Sequence, residues 1–295
     1  MSKDLVVDVS KHDGVIDWKK VKEAGVSGAI IRCGYGSDKE KYDDPKYLYN
    51  VNEALNNGIK IGVYLYSYAK DKAGAASEAE HALRLIIPFK DVIKLPVYYD
   101  VEEPGTEKGV KDRCVIFCDR IEAAGFVPGV YANIDWWKEY LSGLDQYTKW
   151  IAKWSEPKPT DPKMELWQFD AYGTIPGIGK GSVDLDRAFG KVKEILESED
   201  TDTKPEPEPE DKPSAEGGNE VKVETLKKGM HGRNVLMFQS MMNTLEIKDD
   251  EGKKLAEDSS YGERSRQACI RYQKKVGLSA DGICGPKTWD KIANG

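Results

Sequence analysis

The sequence contains few of the residues that carry metal, thiol or redox chemistry. Its 295 residues include five cysteines and three histidines, and no apolar stretch approaches membrane-spanning length. An odd, sparse cysteine set is typical of reduced packing residues rather than of a disulfide framework. The Gly-x-Ser-x-Gly pattern of many serine hydrolases is also absent. Any chemistry must therefore come mainly from carboxyl groups.

The three histidines, His12, His81 and His231, form no evident metal site. A zinc amidase or peptidase usually needs two well-placed histidines and a third ligand. His12 lies in a predicted loop beside Asp13, and His81 lies within a predicted helix among acidic residues. A solvated or capping role is the simpler interpretation of both. We therefore expect neither a metal nor a cofactor.

The negative charge is concentrated in one segment. The chain has a net charge of −7, yet residues 197–224 contain 11 acidic and 3 basic residues, whereas residues 225–295 contain 9 acidic and 13 basic ones. The overall acidity argues against general nucleic-acid binding, and the cationic tail is compatible with an anionic polymer as partner. Alternating prolines and almost no apolar side chains predict an extended, disordered linker at 197–222. This divides the chain into a large domain, 1–196, and a small one, 223–295.

The large domain alternates strand-like apolar runs with amphipathic helical runs. Repeated βα units of this kind indicate a parallel sheet. No glycine-rich phosphate loop follows the first strand, which argues against an open doubly wound sheet. Helical patterns are missing between the late strands, so the predicted fold is α/β, a shortened TIM-like (β/α) barrel with missing helices. The predicted strands are Leu5–Val9, Gly28–Cys33, Lys60–Tyr68, Leu95–Val101, Val127–Ala132, Trp150–Trp154, Glu165–Phe169 and Ser182–Leu185.

Four carboxyl groups lie where barrel enzymes have their active sites. The fourth predicted strand ends with Asp100 and Glu102, whose side chains point to the same side because they are two residues apart. Asp8 ends the first strand and Asp184 lies in the last, which neighbours the first in a closed barrel. We expect all four to converge on one mouth of the barrel. Such clustering raises proton affinity and keeps one carboxylic acid protonated near neutral pH.

These acids belong to a set of motifs that follow one another along residues 4–190: Asp8-Val-Ser10, Gly14-Val-Ile-Asp17-Trp18, Tyr99-Asp100-Val-Glu102, Leu166-Trp167-Gln168-Phe169 and Val183-Asp184-Leu185. The set resembles the family 25 glycoside hydrolases, the Chalaropsis-type lysozymes of phages and bacteria. The resemblance implies a barrel with fewer helices than strands and cleavage of the β-1,4 bond between N-acetylmuramic acid and N-acetylglucosamine. One departure is Asp186, where the family more often has asparagine. Asp186 shares a face with Asp184; Asp184 is the predicted site acid because it matches the acid of the motif, and whether Asp186 joins the site stays open.

For an enzyme of this kind, the role of each acid follows from its chemistry. Glu102 is the predicted general acid, which protonates the leaving glycosidic oxygen. Asp100 lies too close on the same strand to be the separate base of an inverting enzyme, and we expect it to orient the 2-acetamido group of the substrate. Asp8 and Asp184 would tune the pKa values of this pair and hydrogen-bond the sugar. Glu103 is predicted to point to the other face and to be structural.

Five aromatic residues are candidates for contact with sugar rings. By strand alternation Tyr98 shares the inward face with Asp100 and Glu102, whereas Tyr99 should face the helices. The remaining candidates are Trp167, Tyr66, Tyr35 and Tyr131.

The tail contains three amphipathic helical patterns, Asn234–Leu245, Glu263–Lys275 and Pro286–Ile292. The pattern resembles the three-helix peptidoglycan-binding domain of many wall hydrolases and predicts a small all-α domain. One histidine and no acid cluster favour binding without catalysis. A helical dimerisation module is the alternative, and the oligomeric state stays open.

Together, the motifs predict a peptidoglycan hydrolase, an N-acetylmuramidase (lysozyme) whose partner is bacterial peptidoglycan, with neither nucleic acid nor membrane as partner. No apolar segment typical of a signal peptide follows Met1. We therefore expect a phage endolysin that is made in the cytoplasm and acts on the cell wall after release. The alternatives are a chitinase-like β-1,4 N-acetylglucosaminidase and a non-hydrolytic cell-wall-binding protein.

Overall fold

The computed structural model describes residues 3–160, 163–179, 181–198, 225–230, 233–249, 251–256 and 260–294. The chain divides into two units, Met1–Thr201 and Asp202–Gly295. His231 and most of the predicted linker, residues 199–222, lie outside the described residues. Within the described ranges, every helix is too short or too polar to cross a bilayer.

Eight strands close into a barrel in which each strand pairs with the next and the last pairs with the first. This confirms the predicted closed barrel and its eight strands, whose ends differ from the prediction by up to four residues. The strands are β1 Leu5–Val9, β2 Gly28–Tyr35, β3 Lys60–Tyr66, β4 Ile93–Asp100, β5 Pro128–Asn133, β6 Thr148–Ala152, β7 Leu166–Gly173 and β8 Val183–Ala188.

Helices follow the first five strands and the last one. In the described part of the chain no helix lies between β6 and β7 or between β7 and β8, which confirms the prediction of a barrel with missing helices. The helices of this unit are α1 Trp18–Glu23, α2 Tyr47–Asn56, α3 Lys72–Ile86, α4 Val110–Ala123, α5 Ile134–Glu139 and α6 Gly190–Glu197.

The direction of β8 differs from the prediction. Strands β1 to β7 are parallel to their neighbours, but β8 runs antiparallel to both β7 and β1. Only nine residues separate β7 from β8. A parallel connection needs a crossover of about a dozen residues or more, whereas an antiparallel one can be short. The prediction of an all-parallel sheet is therefore wrong for this strand.

Strand alternation separates two apolar layers. Outward side chains pack against the helices, as Tyr99 does by stacking on Phe117 with ring centroids 4.1 Å apart, which confirms the predicted orientation of Tyr99. Inward side chains such as Tyr98 and Trp150 fill the barrel. Gly129 makes room for this filling, because a Cβ atom there would collide with the Tyr98 ring. The barrel is thus a packed core with polar groups towards one end.

His81 departs from its predicted role. Its ring is fully buried rather than solvated, with Nδ1 2.8 Å from the Gly36 carbonyl oxygen and Nε2 2.7 Å from Asp43 Oδ1. The prediction failed because α3 packs this position against the loop after β2. His81 therefore fastens that loop to α3.

The second unit contains the three predicted helices, α7 Arg233–Thr244, α8 Glu263–Lys275 and α9 Pro286–Asn294. Its core contains an aromatic group in which the Phe238 ring lies 5.1 Å from Tyr261 and 6.2 Å from Trp289. The five cysteines of the chain are buried and free, as expected of packing residues: Cys33, Cys114, Cys118, Cys269 and Cys284.

Candidate active site

Two of the predicted acids are direct neighbours at the mouth, the end of the barrel where β1 to β7 have their carboxyl ends. Asp8 of β1 is paired with Asp184 of β8. Asp184 lies near the start of its strand, so in an all-parallel barrel it would lie at the opposite end. The antiparallel direction of β8 is what brings it to the mouth.

The other two acids lie where β4 ends. Asp100 is its last residue, and Glu102 follows in the loop. Burial raises the pKa of Glu102 to about 7, and the nearby carboxylate of Asp184 contributes to the rise. Burial and the charge of Glu102 raise the pKa of Asp100 in turn. These mutual effects place all four predicted acids in one cluster and favour a protonated Glu102 near neutral pH.

A cation that the sequence analysis missed acts on this cluster. Arg32 of β2 lowers the pKa of Asp100, against the effect of burial. Its guanidinium is held by Asp44, which accepts a hydrogen bond from Arg32 Nε at 2.8 Å. The signal was strand alternation, because Arg32 lies two residues after the inward-facing Ile30. Asp100 Oδ1 receives no hydrogen bond from the residues that the structure describes.

Both acids of β8 face the barrel interior, at different depths. Asp184 is half-buried, and burial together with the charge of Asp13 raises its pKa to about 6. Asp186 is fully buried two residues further along the strand, with Oδ1 accepting a hydrogen bond from Trp150 Nε1 at 2.7 Å. Burial raises the pKa of Asp186 to about 8. Asp184 is therefore the acid at the mouth, and Asp186 lies beneath it.

Gln168 of β7 connects the acids to two aromatic side chains. Its Nε2 donates to Asp8 Oδ2 at 2.9 Å. Its Oε1 accepts from Tyr131 at 3.0 Å and from Trp154 Nε1 at 2.9 Å. The Trp154 side chain is 58% exposed, although its N–H is fixed. Trp154 was missed as a candidate, and its place at the end of the sixth predicted strand was the available signal.

Tyr35, Tyr66 and Tyr131 lie around this cluster. The charges of the acids act on the buried Tyr131, and those of Asp100 and Glu102 act on Tyr66. Tyr35 and Tyr66 each contact the exposed ring of Tyr68, at 6.2 and 5.1 Å between centroids.

Glu103 does not face away from the mouth of the barrel, in contrast to the prediction. Its Oε2 accepts a hydrogen bond from Tyr66 at 2.9 Å. The alternation argument does not reach Glu103, because β4 already ends at Asp100.

The two remaining aromatic candidates do not lie at the mouth. Tyr98 faces inward as predicted, but it is fully buried, with its ring 5.2 Å from that of Trp150. Trp167 lies on the outward face of β7, where it is 3% exposed and donates to the Lys153 carbonyl oxygen at 3.0 Å. In this arrangement both are packing residues, in contrast to their predicted contact with sugar.

The site consists of carboxyl groups rather than of mixed metal ligands. Among the residues that the structure describes, no group of three or more histidine, cysteine or acidic side chains has the arrangement of a metal site. What the cluster offers chemically is a proton donor, Glu102, beside a carboxyl oxygen of Asp100 that is free to accept a hydrogen bond.

Comparison with known proteins identifies the family of the barrel. The sequence profile described as Glycosyl hydrolases family 25 matches residues 7–178. The chain belongs to this family. A second profile, for a peptidoglycan binding domain, matches residues 231–292.

Individual relatives cover mainly the barrel. The chain is 30% identical over 182 residues to the autolytic lysozyme of Clostridium acetobutylicum, which is 61% of this chain and 54% of that protein. The modular autolysin LytC of Streptococcus pneumoniae, solved with a synthetic peptidoglycan ligand, is 28% identical with a TM-score of 0.56, over 63% of this chain and 46% of that one. The CTP1L endolysin is 26% identical with a TM-score of 0.57, over 65% of this chain and 69% of that one. The chain thus spans about half the length of the first two.

Proposed function

We propose that the chain is a peptidoglycan hydrolase, an N-acetylmuramidase that cleaves the β-1,4 bond between N-acetylmuramic acid and N-acetylglucosamine. The observation that carries this proposal is the pairing of Glu102, with a pKa near 7, and Asp100, with an unpartnered Oδ1, at the mouth of the barrel. Hydrolysis of a glycoside needs a protonated acid beside a group that supports the developing positive charge.

Substrate assistance fits this arrangement. Glu102 donates its proton to the glycosidic oxygen while the carbonyl oxygen of the 2-acetamido group attacks the anomeric carbon, so the glycosidic bond breaks and the leaving sugar departs with a free hydroxyl. Arg32 favours the ionised form of Asp100, whose Oδ1 accepts the acetamido N–H and holds that group in position. The ionised Glu102 then takes a proton from a water molecule, whose oxygen attacks the anomeric carbon and displaces the acetamido oxygen. This opens the cyclic intermediate and restores the protonated Glu102. The two carboxyl groups thus divide proton transfer and orientation between them.

The second unit and the relatives support a role in cell lysis through hydrolysis of the bacterial cell wall. The match to a peptidoglycan binding domain supports a polymer partner for residues 231–292. One similar protein is named an autolytic lysozyme and another an endolysin. We propose an endolysin that acts on the bacterial wall.

Mass spectrometry of purified peptidoglycan digests tests the bond that is cleaved. Muramidase action leaves new reducing ends on N-acetylmuramic acid. New ends on N-acetylglucosamine, or efficient cleavage of chitin oligosaccharides, would instead indicate a glucosaminidase. The Glu102→Gln variant is the blank for contaminating activity, and walls left intact by the wild type would reject hydrolysis altogether.

A further inference from the structure

The interior acid Asp186 has an incomplete set of hydrogen-bond donors. Its Oδ1 accepts from Trp150 Nε1 at 2.7 Å, but Oδ2 receives none from the described residues, although the side chain is fully buried. A buried carboxylate oxygen without a donor is costly, because it has lost its hydration. Asp186 therefore needs a further hydrogen bond or a proton of its own.

The polar neighbour within reach is another acid. Asp186 lies one inward position deeper than Asp184 and diagonally across from Asp8. Both Asp184 and Asp186 come within hydrogen-bonding distance of Asp8, but of these two only Asp186 is fully buried. Asp8 Oδ2 already accepts from Gln168 Nε2. Two ionised carboxylates can only accept hydrogen bonds, so their contact is favourable only if a proton lies between them.

We propose that Asp8 and Asp186 share one proton and that this shared proton positions Asp8 under the bound sugar. Asp186 is thus a positioning residue, one layer below the groups that contact substrate. The role in catalysis rests on the proposed glycosidase function, whereas the shared proton itself does not.

The surroundings of the pair favour this state. The titratable groups that act on the two acids are Asp184 on β8 beside them and the tyrosines Tyr64 on β3, Tyr98 on β4 and Tyr131 on β5. The neutral donors Trp150 on β6 and Gln168 on β7 complete the contacts. Burial raises the pKa of both acids, and the charge of Asp184 adds to the rise in each. Loss of the shared proton at high pH would leave two adjacent buried charges and displace Asp8.

The substitution Asp186→Asn tests the proposal, because an amide can accept from Trp150 and donate to Asp8 without a titrating proton. In the wild type, Glu102 and the pair must each keep a proton. Above about pH 8 the logarithm of kcat/KM should then fall with a slope of −2 per pH unit. In Asp186→Asn only Glu102 titrates, so the slope should be −1, with activity at pH 6 within about threefold of the wild type. Asp91→Asn, at an exposed turn, is the matched control and should keep the slope of −2.

Thermal unfolding of the full chain gives a readout independent of activity. Six of the seven tryptophans lie in the barrel unit, so tryptophan fluorescence reports mainly on it. A carboxyl whose folded pKa is raised stabilises the fold at low pH and loses this contribution as the pH rises from about 4 to about 8. Asp186→Asn should therefore lose less thermal stability than the wild type between pH 5 and 8.

The outcomes separate the two proposals. Equal alkaline slopes and equal pH dependence of unfolding in wild type and Asp186→Asn would overturn the shared proton. A wild type that cleaves no peptidoglycan, yet unfolds with the expected pH difference, would reject the glycosidase function and retain the proton. Asp186→Leu keeps the volume but supplies no polar atom, and a pH 6 activity equal to that of Asp186→Asn would also contradict a positioning role.

Discussion

Individual carboxyl groups in this barrel differ because their surroundings differ. The half-buried Glu102 has a pKa near 7, the half-buried Asp184 one near 6 and the fully buried Asp186 one near 8. Burial is the largest cause in each case, and neighbouring acids add to it. Carboxyl groups of one chemical type thereby differ in role: Glu102 is the proton donor, Asp184 lies at the mouth, and Asp186 lies beneath it.

The assignment of Glu102 is tested by Glu102→Gln. Loss of the proton donor should lower kcat by at least about 10²–10⁴-fold, with little change in binding to walls. In the wild type, activity should fall as the pH rises through about 7, because the acid must be protonated. Glu107→Gln, at a partly exposed site on the following loop, should behave as the wild type. A Glu102→Gln enzyme that keeps more than a tenth of wild-type turnover would place the acid elsewhere.

Asp100→Asn separates substrate assistance from a covalent mechanism. The amide cannot stabilise positive charge on the acetamido nitrogen, so kcat should fall by about 10²-fold or more. Added azide should restore little activity, because the nucleophile belongs to the substrate. Asp119→Asn is the control for loss of a carboxylate charge, because this exposed carboxyl on α4 accepts a hydrogen bond from Tyr147 at 2.6 Å. Efficient azide rescue, or a glycosyl adduct on Asp100, would favour a carboxylate nucleophile.

At the scale of strands, two tryptophans have opposite surroundings, Trp154 just after β6 and Trp167 on β7. Trp154 is exposed and tied to Gln168, whereas Trp167 is buried against the outer layer. Trp154→Ala should raise KM about two- to tenfold, the range of one aromatic contact, with little loss of stability. Trp167→Ala should instead cost about 3–5 kcal/mol of unfolding free energy with KM unchanged.

Kinetics with soluble glycan fragments and denaturant unfolding measure these two effects. Trp154→Phe keeps the ring but loses the N–H to Gln168, so it should raise KM less than alanine does. Ile87→Ala changes an exposed apolar residue that follows α3 and is the control for surface hydrophobicity. An unchanged KM in Trp154→Ala would remove this tryptophan from the substrate-binding surface.

Strand periodicity was sufficient to predict the barrel and its acids, but not the direction of β8. Period-two alternation correctly turned Tyr98 inward and Tyr99 outward, because both lie within β4. The same rule failed at Glu103, which lies beyond the end of β4. Alternation indicates whether a side chain points inward or outward, but not how deep it lies along the barrel axis. The depth of an inward side chain therefore could not be predicted from the sequence. That is why the sequence predicts a sugar contact for Tyr98, which lies in a deeper layer.

At the scale of the whole molecule, acidic and basic residues are distributed unevenly along the chain. Residues 225–295 carry 13 basic and 9 acidic residues, whereas the barrel presents acids at its mouth. We therefore expect residues 225–295 to favour encounter with an anionic polymer. Charge should mainly speed encounter, while a shaped surface provides the affinity.

Deletion of residues 223–295 tests how this unit contributes to lysis. Tethering raises the local concentration of polymeric substrate and leaves the chemistry of the barrel unchanged. Lysis of intact cells should therefore fall by about 10-fold or more, whereas cleavage of soluble glycan fragments should change less than about twofold. Trp289→Ala in the full chain removes a buried core ring of the second unit and should reproduce the deletion without shortening the chain. Equal losses on cells and soluble fragments would mean instead that the second unit supports the barrel itself.

The salt dependence of wall binding separates charge from a shaped surface. Salt at about 0.15 M screens exposed charges beyond about 8 Å, whereas contacts within a shaped surface persist. Binding of the Glu102→Gln chain to walls should therefore weaken only several-fold between low salt and about 0.15 M.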